Sequence, residues 1–98
     1  MRLAKVVGTT VSTAKESNLV GLKLLLYTPC STEGKEEGSD RFVAVDTVGA
    51  GTGEVVLVAV GSSARVTERT RSVATDATVV GIVDSIQLEG ETTYTKGR

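Results

Sequence analysis

Segments rich in valine and threonine, cut apart by glycine-bearing turns, point this chain to an all-β fold. A side chain branched at Cβ loses rotamer freedom in a helix and suits the pleated, half-buried surface of a sheet. The clearest segment is Val55-Val56-Leu57-Val58-Ala59-Val60, apolar at every position. It follows the turn Gly49-Ala50-Gly51-Thr52-Gly53-Glu54. Four more strands are expected, over 2–13, 21–27, 41–48 and 77–86. In the first, Leu3, Lys5 and Val7 fall on one face and Ala4 and Val6 on the other, so neither face is purely apolar, as suits a barrel strand. In the second, Leu24-Leu25-Leu26 predicts apolar surroundings on both faces, one the barrel core and the other a subunit contact. Gly81 marks a bend or a close backbone approach in the last. Ser62 or Ser63 is placed to cap a short helix over 64–69, weakened by Val66 and Thr67.

Five strands in 98 residues suggest a small closed barrel, because closure removes the strand edges that invite aggregation. The expected class is a five-stranded, OB-like Greek-key barrel with one short helix. The barrel is expected over 1–88. The polar tail, 89–98, is a candidate short strand against a neighbouring subunit. A chain this short buries only about 60–70% of its unfolded surface, so docking against copies of itself is an easy source of stability.

The residues that are missing narrow the function. The chain has no His and no Trp, and its aromatics are one Phe and two Tyr. General acid–base catalysis uses His most often, and zinc sites need Cys and His clusters. No enzyme, metal or cofactor role is therefore expected. The net charge is −1, so nothing draws the chain to DNA or RNA by charge alone, because phosphate binding needs a clustered basic face. No apolar run reaches the ~18–20 residues of a membrane helix, and the start has a Lys inside its apolar stretch, unlike a signal peptide. The expectation is a cytoplasmic chain with neither nucleic acid nor membrane as partner. The single Cys30 reads as a small, half-buried hydrophobe.

Four motifs invite chemical readings. Gly49-x-Gly51-x-Gly53 lacks the helix that a dinucleotide site requires, and reads as a tight turn. Ser62-Ser63 has no base to activate a nucleophile. Asp46, Glu54, Asp76 and Asp84 lie at strand ends and turns, and read as solvated charges or interface ion pairs. Arg65, Arg69 and Arg71 are suited to pairing two-pronged with a neighbour's carboxylates.

Taken in order, four segments resemble the bacterial microcompartment vertex (pentamer) protein family of the EutN/CcmL type. They are Leu3 through Thr13, Gly21 through Leu26, Val45 through Glu54 continuing to Gly61-Ser62-Ser63-Ala64-Arg65, and Val79 through Asp84. The resemblance implies a homopentamer that caps the vertices of a polyhedral shell beside hexameric shell proteins, and a place in that shell in the cytoplasm. The extended tail resembles the carboxysome branch, which would tie the chain to carbon dioxide fixation. An ethanolamine-, propanediol- or glycyl-radical-type metabolosome is the alternative, and a single-stranded nucleic-acid-binding barrel is the alternative of another class. By the same resemblance, Gly49, Ala50, Gly51, Gly53, Glu54, Gly61, Ser62, Ser63, Ala64 and Arg65 are candidates for the pentamer interface or the five-fold axis.

Overall fold

The computed structural model describes residues 1–10, 23–61 and 76–97. Among these residues seven strands run in order: β1 (Arg2–Thr9), β2 (Lys23–Pro29), β3 (Phe42–Asp46), β4 (Val55–Val60), β5 (Ala77–Ile82), β6 (Ser85–Leu88) and β7 (Glu91–Thr95). The first five close a barrel in the order β1-β2-β3-β5-β4, while β6 and β7 form a separate two-stranded sheet. The barrel is the expected OB-like Greek key. The helix expected over 64–69 lies outside the described residues.

The pattern of each strand follows from what lies on its two sides. In β1 the inward residues Ala4 and Val6 are buried while Leu3, Lys5 and Val7 are half-buried. In β4 Val55, Val56, Val58 and Ala59 are all fully buried, which is why the run is apolar on both faces. Of the three leucines of β2, Leu25 is in the core and Leu24 and Leu26 are half-buried outside it. The core joins Ala4, Val6, Leu25, Tyr27, Ala44, Val56, Val58, Ala77 and Val79 from all five barrel strands, with Ala50 inserted from the turn after β3. Full burial of each Val or Leu there contributes about 1.5–3 kcal/mol.

Closure relies on bulges and on one short seam. Val7 of β1 is an extra residue against β2, since Val6 faces Tyr27 and Gly8 faces Leu26. Val80 of β5 is extra against β4, because Leu57 faces Gly81 and Val58 faces Val79. Such insertions bend a strand and increase its twist, as closure requires. The bend signalled by Gly81 is this bulge. Four of the five barrel junctions are antiparallel; the fifth, β3 to β5, is parallel and spans Val45↔Thr78 and Asp46↔Val79. Thr47 reinforces it: its Oγ1 and its N–H both donate to the Val79 carbonyl, at 2.8 and 3.4 Å.

The single strand expected over 77–86 is two strands. Val83 N–H still donates to the Val55 carbonyl at 2.9 Å, and the chain then leaves the barrel. At Asp84 it turns, and its carbonyl accepts the Lys96 N–H at 2.8 Å. Ile86 therefore belongs to β6, opposite Tyr94 of β7. The connection is the two-residue loop Glu89-Gly90, with φ of 53° and 84°. Two positive φ values in a row match the twist of a tight hairpin.

Candidate functional site

The turn between β3 and β4 is built around two carboxylates. Asp46 closes β3 and is only 3% exposed. Its Oδ1 accepts the N–H groups of Val48 and Gly49 at 3.0 and 3.1 Å, and its Oδ2 accepts the Ala50 N–H at 3.0 Å. An Asp side chain that gathers successive amides in this way fixes a turn that the backbone alone would leave open. Lys23 stands beside it: its Nζ donates to the Ala50 carbonyl at 3.0 Å and lies 3.9 Å from Asp46 Oδ2. Asp46 is therefore not the solvated charge expected from the sequence. The signal available was its position two and three residues before the amides it binds, in Asp46-Thr47-Val48-Gly49.

Glu54 holds the other end. Its Oε1 accepts the Gly51 N–H at 2.6 Å, and its own N–H donates to the Gly51 carbonyl at 3.1 Å. Gly53 N–H donates to the Val6 carbonyl at 2.8 Å, and Val6 N–H to the Glu54 carbonyl at 2.9 Å, so the turn is sewn to β1. The other carboxylate oxygen, Oε2, lies 2.9 Å from Lys96 Nζ. The Lys96 hydrogen bond and then the Gly51 amide hold the Glu54 carboxyl below its ordinary value. The same partner raises the Lys96 ammonium.

The candidate residues divide by where this leaves them. Gly49 and Gly53 are exposed, with φ of 78° and 92°, a region that excludes most side chains on backbone grounds alone. Gly51 is half-buried with an ordinary φ, and a Cβ there would meet only Glu54 Oε1, at 3.5 Å. Ala50 is fully buried in the barrel core of its own chain. Gly61 is exposed at the end of β4, with φ 66°. Ser62, Ser63, Ala64 and Arg65 lie outside the described residues, as do Arg69 and Arg71. Asp76 and Asp84 are exposed.

A second cluster was not legible in the sequence. The connection between β2 and β3 folds back on itself, with Ser31 N–H to Lys35 O, Gly34 N–H to Ser31 O and Glu37 N–H to Pro29 O, all at 2.9 Å. Gly34 is buried, with φ 75°, and a Cβ there would come within 2.5 Å of Tyr94 Cδ1. Thr93 Oγ1 donates to the Thr32 carbonyl. The tail thus docks on this loop. Cys30, at its base, is buried, and burial followed by the nearby Glu37 charge pushes its thiol up, as fits an inert small hydrophobe. Among the described residues no group of three His, Cys, Asp or Glu side chains is placed to hold a metal ion.

Comparison with known proteins adds the context. The family model described as ethanolamine utilisation protein EutN/carboxysome matches residues 1–84. The carboxysome shell vertex protein CcmL of Synechocystis is 47% identical over 97 residues, covering 98% of this chain and 95% of that one. The solved structure of Gloeobacter violaceus CcmL superposes with a TM-score of 0.90 at 37% identity, covering all of both chains. The pentameric microcompartment shell protein GrpN from Rhodospirillum rubrum gives a TM-score of 0.77 at 50% identity, over 90% of this chain and 99% of that one.

Proposed function

The chain belongs to the EutN/CcmL family, whose curated members include shell vertex proteins, and from that premise we propose that it is a structural subunit whose copies close a pentameric ring at the vertices of a bacterial microcompartment shell. The observation that carries this reading is the likeness to a pentameric shell protein at 50% identity over nine-tenths of the chain. Flat sheets of hexameric tiles close into a polyhedron only where pentagons occupy the corners. A head-to-tail ring of five supplies such a corner through one repeated, heterologous contact. The chain is then a component of a shell in the bacterial cytoplasm, with hexameric shell proteins as neighbours and no catalytic task.

Within the ring, the turn at Gly49, Gly51, Gly53 and Glu54, with Gly61 and the run Ser62-Ser63-Ala64-Arg65, is our candidate for the subunit contact or the five-fold axis. Its exposed, side-chain-free positions allow backbone to approach backbone, and Asp46 and Glu54 fix its shape before any partner arrives. The tail, 89–98, is our candidate for a further contact with the neighbouring copy. Gly51 offers a test because its own protomer tolerates a Cβ. Gly51→Val is expected to leave the barrel folded by circular dichroism and to abolish the ring. A variant that keeps the ring would move the contact elsewhere.

The ring itself is tested by native mass spectrometry, where a species of five times 10.2 kDa is expected. A monomer, a dimer or a ring of another size would overturn the vertex role. For the compartment we favour the carboxysome, and with it carbon dioxide fixation, because over nearly the full length of both chains a carboxysome CcmL is 47% identical and an EutN 40%. The likeness to an ethanolamine utilisation protein, EutN, with a TM-score of 0.86 at 38% identity, favours a metabolosome as the second reading. Co-expression with hexameric shell proteins of each type decides between them, by which set closes into shells.

A further inference from the structure

Among the described residues the hairpin β6–β7 pairs with no barrel strand. A two-stranded hairpin is marginal by itself in water. Its place is set by Thr93 on the Thr32 carbonyl, by Tyr94 over Gly34, and by Lys96 against Glu54. The third contact differs in kind from the first two, because Glu54 has a second duty. The oxygen not held by Lys96 accepts the Gly51 amide. A carboxylate is a rigid planar fork, so fixing Oε2 on the hairpin also fixes where Oε1 meets the turn. Neither end is deeply buried: the side chains of Lys96 and Glu54 are 45% and 23% exposed.

We propose that Glu54 is a mechanical link through which the docked C-terminal hairpin holds the Gly49–Gly53 turn in the shape that enters the ring. The ring-forming role of that turn rests on the reading above; the link does not. In this arrangement the tail regulates assembly from within the protomer. A hairpin lifted from its dock releases Lys96, frees the Glu54 side chain to rotate, and loosens the Gly51 amide. By reciprocity, a neighbouring copy that grips the turn also tightens the hairpin.

The test reads amide exchange of Gly51 by NMR in the full chain, with wild type and variants compared in the same assembly state as set by native mass. Lys96→Met keeps most of the length of the side chain and removes its charge. It is expected to speed Gly51 exchange roughly two- to fivefold, the range set by a partly exposed ion pair. Tyr94→Ala is the decisive second variant, because Tyr94 packs on Gly34 in the loop after β2 rather than on the turn. It is expected to speed Gly51 exchange as well, by undocking the hairpin. Added salt is expected to speed it in wild type and not in Lys96→Met. Gly51 exchange unmoved in both variants would overturn the link even where the wild type is a pentamer. A wild type that is not a pentamer would sink the ring reading and leave the exchange result to decide the link.

Discussion

In the barrel every strand is laddered to a neighbour on each side, and the inward side chains share one core. In the hairpin, among the described residues, β6 and β7 ladder only with each other, and Ser85, Gln87, Leu88, Glu91 and Thr92 are exposed. One region is positioned by burial of its own apolar face. The other is positioned by a few side chains reaching into two loops, after β2 and after β3. The contrast teaches that stability and placement are separate problems here. The barrel solves the first by excluding water, which is non-directional. The hairpin solves the second with directional contacts that contribute little free energy and a defined geometry.

The largest effect that could break this contrast comes from the core. Leu25→Ala removes a fully buried side chain and is expected to cost about 2–5 kcal/mol, read as a lower midpoint of denaturant unfolding. Exchange of hairpin amides should rise with it only at denaturant levels that unfold the barrel. Next is Asp46→Ala, which strips three amides of their acceptor and is expected to cost about 2–3 kcal/mol. Asp46→Asn should cost less, because one acceptor oxygen survives. Chemical shifts of Val48 to Gly51 in both variants would show whether the loss is confined to the turn.

Gly34→Val acts on the hairpin, and on the turn it holds, rather than on the core. Its Cβ would overlap the Tyr94 ring, and a branched residue at that positive φ is strained by about 1–3 kcal/mol. Exchange at Thr93 through Lys96 should quicken roughly tenfold while the core amides of β4 hold. Equal quickening in both regions would end the distinction between them.

The smallest effect is the pH dependence of the Lys96–Glu54 pair. The Glu54 carboxyl sits below its ordinary 4.5, so its share is complete above that value and fades as pH falls through the lowered one. The Lys96 ammonium sits above its ordinary 10.5, so its share is complete below that value and fades as pH rises through the raised one. The hairpin should therefore stay docked between these limits and loosen beyond either, reported by the Tyr94 ring resonances. Lys23 near Glu54, and Asp84 and Tyr94 near Lys96, add minor Coulombic contributions. Loosening near neutrality would contradict the pair's role.

The two regions were unequally legible. The bounds of β4, Val55–Val60, follow from its apolar run and the glycines before it. Fold class and ring family were legible for the same reason, since period, turn chemistry and motif agree over most of the chain. The break at Val83-Asp84 was not legible, because Ile86 continues the apolar pattern and only the partner strand shows that it has left the barrel. Asp46 reads as a surface charge until Val48, Gly49 and Ala50 are seen to point their amides at it. The loop after β2 reads as polar and solvated. Gly34 acquires its meaning from Tyr94, 60 residues away in the chain, by 94 − 34.

The parallel seam between β3 and β5 has a consequence for how the chain acquires its shape. Strands β1 to β3 can form as a meander, and β4 with β5 as an antiparallel pair, each from neighbours in sequence. Both junctions between the halves, β1 with β4 and β3 with β5, wait on loop-closure entropy, and the parallel one rewards it with only two pairs and the Thr47 hydroxyl. Contacts made that late are scarcely present in the transition state, so they govern unfolding rather than folding. Weakening either junction is then expected to shorten the folded lifetime of each protomer, and of any corner built from five, more than it slows folding.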